Sequence, residues 1–316
     1  MGAVMADPFD VLAALIRVDR TPDLAAAARS LAAAGAPVFP CEPDGKRPLT
    51  RRGFLDATSD PGQVAAWWAR TPDANIGLPS GAASGVVVVD VDVHGPVDGR
   101  AAWRRASEAG LVDGAGLLVR TPTGGAHAYF PATSGVEQRS WQAASAGVDF
   151  RGDGGYIIAP PSRRTIDGTL RRYEITDLAA NSIGPVDAAR LRDFLDPRPA
   201  PLTRNSDGAT ATVAAERLAA WVASRGEGER NRGLFWAACR LAENGTPPAD
   251  TLDALGPPAA RAGLSEREIA TTVRSAYRAT KPTPEASSPA DARRGADRWC
   301  SRSATPPVAS VGRAGL

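Results

Sequence analysis

The sequence predicts an α+β domain over residues 1–195, a linker at 196–212, a small all-α domain at 213–281 and a disordered tail at 282–316. Three observations support this division. Up to residue 195 the chain contains both amphipathic helical segments and segments rich in β-branched residues, which are typical of strands. The linker is rich in proline and polar residues, and only helical periodicity follows it. The tail consists mainly of proline, serine, alanine and arginine without apolar periodicity, which predicts disorder.

Capping residues indicate the helices of the first domain. Asp7 and Asp60 each precede a proline, the combination expected at the cap and first position of a helix. Gly35 ends a second, alanine-rich helix. Trp67 and Trp68 are more typical of a packing face than of a base-stacking platform, because they lie at helical spacing. Helices are therefore predicted at 7–18, at 21–35, from Asp60 through Trp68 and at 99–109.

Strands are predicted where β-branched and aromatic residues lie between glycines and prolines. They fall at 36–40, 74–81, 84–95, 116–122, 123–130, 147–151 and 156–162, with a hairpin at 163–172. The second domain is predicted to contain helices at 211–223, 231–243, 248–254 and 265–280, the last opening on a Ser265–Glu268 capping box.

Composition restricts the class of protein. Of 316 residues, 43% are hydrophobic and 23% charged, as in a globular protein, and no apolar run approaches the roughly 20 residues of a membrane span. No secretory signal is apparent, and the three cysteines are isolated, so we expect neither disulfides nor zinc and predict a cytoplasmic protein without membrane partners. The net charge of +2 requires any nucleic-acid contact to come from local arginine patches.

The segment around Asp90 and Asp92 is the strongest candidate site. Four consecutive valines precede Asp90, which predicts a buried strand whose alternation places both acids on one face. Paired carboxylates on a buried strand repel each other unless a cation joins them, and oxygen ligands suit Mg²⁺ or Mn²⁺. A solvated strand end is the alternative. An EF-hand is excluded because Ala101 stands where a bidentate glutamate is needed.

Two further strands carry candidate site residues. His127 follows Gly124 and Gly125; a lone strand histidine is usually structural, but these glycines would let a ligand approach closely. Asp149 and Arg151 share a face of their strand.

Basic residues cluster in two loops. Lys46 lies in a proline-bounded turn that is either solvated or a phosphate contact. The densest basic patch flanks the predicted hairpin, at Arg163, Arg164, Arg171 and Arg172. Neither a Walker motif nor a dinucleotide-binding glycine pattern is present, which removes those two nucleotide-binding folds.

Asp90-x-Asp92, then His127 after a turn of small residues, then Asp149 resembles the archaeo-eukaryotic primase superfamily, specifically its bifunctional primase–polymerase domain. The resemblance covers residues 35–162, and residues 230–277 resemble the helical domain that follows such domains. It implies a mixed sheet with flanking helices, whose catalytic half is related to the RNA-recognition (RRM-like) fold. It also implies nucleotidyl transfer that starts or extends primers.

The resemblance also implies roles for individual residues. The metal ligands would be Asp90, Asp92 and Asp149, holding two Mg²⁺ or Mn²⁺ ions, and His127 would donate to the incoming triphosphate. Further nucleotide contacts are expected from Arg151, Lys46, Gly124 and Gly125. The expected partners are a single-stranded DNA template, ribo- or deoxyribonucleoside triphosphates and a separate replicative helicase, in the replication of a phage, prophage or plasmid. Two alternatives remain: an inactive nucleic-acid-binding module, and another metal-dependent phosphotransferase.

Overall fold

A computed structural model describes residues 6–94, 97–178, 182–199, 208–226 and 228–280. The chain divides into two compact units, Met1–Pro197 and Arg198–Leu316. Residues 200–207 of the predicted linker and the whole predicted tail at 282–316 lie outside the described residues.

The first unit combines helices with short strands. Its helices are α1 (Pro8–Val18), α2 (Leu24–Ala33), α3 (Pro61–Arg70), α4 (Arg100–Glu108) and α5 (Ala188–Leu195). Its strands are β1 (Phe39–Cys41), β2 (Asn75–Pro79), β3 (Val86–Val91), β4 (Leu117–Arg120), β5 (Ala126–Pro131), β6 (Trp141–Ala143), β7 (Val148–Arg151), β8 (Tyr156–Ile158), β9 (Arg163–Ile166), β10 (Thr169–Arg172) and β11 (Glu174–Leu178).

Aspartate caps begin several of these helices, as the sequence predicts. The carboxylate of Asp7 accepts a hydrogen bond of 2.8 Å from the backbone N–H of Phe9, and Asp60 accepts one of 2.6 Å from Gln63. Trp68 is buried, and its indole N–H donates to the carbonyl of Ala74 at 3.0 Å, so it is a core residue. The short elements β6, β11 and α5 were not predicted.

The main sheet has six strands in the order β11-β4-β5-β3-β7-β6. Each pairing between its strands is antiparallel, so the mixed sheet implied by the resemblance is wrong for the described strands. The reason is the position of β5. Strands β3 and β4, which α4 connects, run in the same direction, but β5 inserts between them and pairs antiparallel with both.

The two faces of this sheet pack against different parts of the unit. Residues opposite each other on neighbouring strands share a face, so Val88 and Tyr129 lie together and pack against α1, α2, α3 and a smaller antiparallel sheet, β1-β2-β8. Val89 and Phe150 lie on the other face with α4 and α5. The acidic residues singled out in the sequence lie at one end of the first face.

The smaller sheet anchors the loop that contains Lys46. The side-chain amide of Asn75 donates to the carbonyls of Gly45 (3.0 Å) and Arg163 (2.8 Å). The hydroxyl of Tyr156 donates to the carbonyl of Lys46 at 3.2 Å. Because both donors belong to strands, the loop is held against the sheet.

The second unit is helical over its described residues. Its helices are α6 (Gly208–Ala223), α7 (Arg230–Glu243), α8 (Pro248–Arg261) and α9 (Glu266–Thr280). Helix α6 begins inside the stretch predicted as linker. The short helix predicted at 248–254 is wrong: α8 continues through Pro257 and Pro258, because Pro258 is buried with Leu255 in the helical core. None of the described helices has both the length and the apolar character required to cross a bilayer.

Candidate active site

Strand register places three of the predicted site residues side by side. Asp90 on β3 lies directly opposite His127 on β5 and Asp149 on β7. Opposed residues share a face and have closely spaced side chains. Asp92 follows the last residue of β3, and its backbone N–H donates to the carbonyl of Gly147 at 2.9 Å, which keeps it beside β7.

Asp90, Asp92 and Asp149 form one acidic cluster. Each offers a carboxylate oxygen, and these atoms lie within 4.8 Å of one another. Asp90 and Asp149 expose only 9% and 7% of their surfaces, whereas Asp92 is exposed. The arrangement therefore has a buried floor and an open side from which a ligand can enter.

The electrostatics of the cluster suit a cation. Burial raises the pKa of Asp149 from 3.8 to about 6, although the Arg151 guanidinium and a hydrogen bond from Gln142 act in the opposite direction. Partial desolvation, followed by the adjacent Asp90 carboxylate, raises the pKa of Asp92. A divalent cation would relieve both the desolvation and the repulsion. Because the donors are all carboxylate oxygens, they fit hard ions such as Mg²⁺ or Mn²⁺.

Arg151 and Gln142 hold Asp149 in place. The Arg151 guanidinium donates to Asp149 Oδ2 at 2.7 Å and lies 3.6 Å from Asp90 Oδ2. The Gln142 amide donates to the same oxygen of Asp149 at 3.2 Å from β6. Sequence reasoning missed Gln142, although the alternating triplet at 141–143 was a possible strand signal. Arg151, predicted to contact phosphate, lies here against the acids.

His127 is more deeply buried than is expected of a residue that contacts a ligand from the solvent side. It is 4% exposed, and its Nε2 lies 3.4 Å from Asp90 Oδ1. The rings of Tyr129 and Tyr173 lie 6.4 and 5.7 Å from the imidazole, and Tyr173 was not predicted to be near the site. Burial lowers the pKa of His127, which favours the neutral imidazole. Its Nδ1 is buried without a hydrogen-bond partner among the described residues.

The backbone conformation and close packing of the turn account for the two glycines before His127. Gly124 has a φ of +89°, and its carbonyl accepts a hydrogen bond of 3.1 Å from Arg100. A Cβ on Gly125 would lie 2.4 Å from the carbonyl oxygen of Val91. Gly125 is therefore required for the turn to pass the end of β3, and any approach by a ligand is an additional use of that space.

Lys46 extends from its loop as an exposed residue on the same side of the unit. Its positive charge counteracts the rise in the pKa of Asp92 and contributes to the lowering of the pKa of His127. Both effects require Lys46 to lie within electrostatic range of the cluster.

The fold and site define an α+β domain with a candidate metal centre built from three carboxylates. A family model described as "Bifunctional DNA primase/polymerase, N-terminal" matches residues 28–192, more than half of the chain. The chain therefore belongs to this Prim-Pol family, whose members are metal-dependent nucleotidyltransferases acting with nucleotides and DNA. The matched range contains the whole acidic cluster and His127. No curated protein matches the chain.

Proposed function

We propose that this protein is a DNA-templated nucleotidyltransferase that synthesises primers, extends them, or both. The observation that carries the proposal is the acidic cluster of Asp90, Asp92 and Asp149, with oxygens within 4.8 Å of one another inside the matched family range. A solvated strand end does not account for this cluster, because two of its three acids are buried.

The three carboxylates would hold two Mg²⁺ or Mn²⁺ ions, which supply stabilisation of the charge that develops on the entering and leaving oxygens of phosphoryl transfer. The protein's part is to hold the acids in position. Arg151 offsets the repulsion between Asp90 and Asp149, and Gln142 restrains Asp149 from the neighbouring strand. Burial of Asp149 excludes water from one side of the cluster.

The same residues suggest how the nucleoside triphosphate is oriented. His127 Nε2 lies 3.4 Å from Asp90 Oδ1, beside the acidic cluster, and as an N–H it would donate to a phosphate oxygen. Lys46 is exposed and positively charged within electrostatic range of the cluster. Arg151 can exchange its carboxylate partners for phosphate oxygens, since its fork-shaped guanidinium suits both.

The relation of the catalytic half to the RNA-recognition fold is supported by the β3-α4-β4 unit with β5 inserted between its strands. The setting, replication of a phage, prophage or plasmid with a separate helicase, rests on the family resemblance. So does the role of the helical unit as a domain that accompanies primase–polymerase domains.

The test uses the purified full-length chain with labelled ribo- or deoxyribonucleotides and Mg²⁺ or Mn²⁺. One reaction contains unprimed single-stranded template and a second contains a primed template. Product in the first demonstrates priming, and product only in the second restricts the protein to extension. Consumption of nucleotides that does not depend on template would instead favour another phosphotransferase.

Two variants make the test specific. Asp90→Asn should abolish product in both reactions with the fold retained, because it removes one charge from the cluster. Asp113→Asn, which changes an exposed acid outside the cluster, should remain active. Activity retained by Asp90→Asn, or silence of a folded wild-type protein in both reactions, would refute the proposed function.

A further inference from the structure

The basic patch singled out in the sequence forms a two-stranded ribbon, β9 and β10, which we call the arginine hairpin (residues 163–172). Asp167 and Gly168 form its turn with φ values of 50° and 74°, as expected for a two-residue hairpin of the type with both central residues at positive φ. The proposed phosphoryl-transfer chemistry uses none of its side chains.

The register of the arginine hairpin places arginines opposite each other. Arg164 pairs with Arg171, and Arg163 pairs with Arg172. Like charges directly opposite on neighbouring strands destabilise a sheet. An anion bound to the ribbon would offset this repulsion.

The side chains of the Arg163–Arg172 pair bind other parts of the protein, whereas those of the Arg164–Arg171 pair are held only weakly. The Arg163 guanidinium forms an ion pair of 2.5 Å with Asp73, and that of Arg172 donates to the carbonyl of Asp19 at 2.6 Å. Arg164 makes only a long contact of 3.4 Å with the carbonyl of Asp44, whose carboxylate accepts from the backbone N–H of Thr165.

Arg171 is exposed, and neither a hydrogen bond nor an ion pair of its side chain occurs within the described part of the chain. Its charge is therefore available to a ligand.

A cavity of about 520 Å³ connects the arginine hairpin to the turn that precedes His127. Four arginines and two acids line it, at Arg20, Arg120, Arg171, Arg172, Asp19 and Glu174. Glu174 is already paired with Arg120 at 2.6 Å, and the Asp19 carboxylate accepts from the backbone N–H of Ile175 at 2.8 Å. The lining therefore carries an excess of positive charge.

The position of the cavity indicates which anion it receives. Gly124, three residues before His127, also lines it, so the cavity borders the candidate active site on the β4–β5 side. The lining contains no aromatic side chain on which a base could stack. Guanidinium groups alone recognise phosphates without reading sequence.

We propose that the arginine hairpin and this cavity bind the phosphate backbone of a single strand of DNA, the template of the proposed reaction. The inference rests on the proposed function only in identifying the bound strand as the template. A template must be held without regard to sequence, and a row of arginines beside the active site does so. The local patch also explains how a chain with a net charge of only +2 binds a polyanion.

The test measures binding of a short fluorescein-labelled single-stranded oligonucleotide by fluorescence anisotropy, in EDTA and over a range of salt concentrations. The test variant is the full-length chain with Arg164→Gln and Arg171→Gln together. The matched control carries Arg104→Gln and Arg105→Gln, which remove the same charge from exposed positions of α4, on the opposite face of the sheet.

Loss of two phosphate contacts should make the logarithmic salt slope shallower by about 1.4, since each contact to single strands contributes about 0.7. At about 0.1 M salt this corresponds to roughly 25-fold weaker binding. The control should bind like wild type, and thermal unfolding should show both variants folded.

Three results would overturn the inference: unchanged binding by the hairpin variant, equal weakening in the control, or loss of nucleoside triphosphate binding with DNA binding intact. The last would make the cavity a nucleotide site. Because the readout needs neither metal nor turnover, Asp90→Asn should bind the oligonucleotide like wild type. If the hairpin variant binds DNA more weakly than wild type, but the wild-type protein has no polymerase activity, the proposed function is refuted and the DNA-binding site is retained.

Discussion

Replacement of Asp149 by asparagine should stabilise the metal-free protein at neutral pH. Burial raises the pKa of this carboxyl from 3.8 to about 6, so its charged form is disfavoured in the folded state. The difference between these two values corresponds to a penalty of up to about 3 kcal/mol, because each pKa unit is worth about 1.4 kcal/mol. Asp149→Asn removes the charge and with it the penalty.

The penalty depends on pH with a definite sign. Above pH 6 the carboxyl is ionised in both states and the whole penalty applies. As the pH falls through 6 toward 3.8 the folded state takes up the proton first, so wild type gains stability relative to the variant. The advantage of Asp149→Asn should therefore be largest above about pH 7 and should vanish as the pH falls below 3.8.

The assay is denaturant unfolding in EDTA across this pH range, with the difference between variant and wild type taken at each pH. Saturating Mg²⁺ at neutral pH should reverse the order, because it binds the folded wild type through the carboxylate that the variant lacks. A variant less stable than wild type at every pH in EDTA would show that the ion pair with Arg151 outweighs the burial of the charge, and would refute this reasoning.

Three further substitutions test other contacts. Gly125→Ala should destabilise the fold by about 1–3 kcal/mol in thermal unfolding, because its Cβ would lie 2.4 Å from the Val91 carbonyl oxygen. Gln142→Ala should weaken Mn²⁺ binding, measured by calorimetry, by at least about 10-fold, since it removes the amide that restrains Asp149. Arg171→Gln should stabilise the protein by about 0.2–1 kcal/mol while weakening DNA binding, because it removes a like-charge pair.

Each of these has a matched control. Gly184→Ala should leave stability nearly unchanged, because no atom lies within 4 Å of its added Cβ. Arg105→Gln should change neither stability nor DNA binding. Gln63→Ala, at an exposed position of α3, should bind Mn²⁺ like wild type. Equal effects in a substitution and its control would contradict the contact assigned to it.

Local features of the sequence determined most of the elements. Asp7 and Asp60 before prolines mark helix starts because the carboxylate and the fixed proline φ both favour the first turn. Asp167–Gly168 specifies the turn of the arginine hairpin because both residues tolerate positive φ. The valines before Asp90 predict a buried strand with an acid at its end, which β3 confirms. These signals act over a few residues, so sequence alone suffices to find them.

The site depends on contacts between residues far apart in the chain. Only strand register brings Asp149 and His127 beside Asp90, and only the edge strand β6 brings Gln142 to Asp149. The resemblance, through the order of the motif, suggested that Asp149 and His127 lie near Asp90. No local feature of the sequence indicated that Gln142 lies near Asp149. Pairing of short strands is decided by the sheet as a whole.

Tertiary packing also corrected two expectations, one implied by the family resemblance and one drawn from the glycines before His127. Insertion of β5 between β3 and β4 made the described sheet antiparallel, although a helical crossover joins the outer two strands. A glycine is required at position 125 because the Val91 carbonyl oxygen leaves no room for a Cβ there. Local propensity sets which elements can form, whereas burial of apolar faces and satisfaction of backbone hydrogen bonds choose their neighbours, and those neighbours build the site.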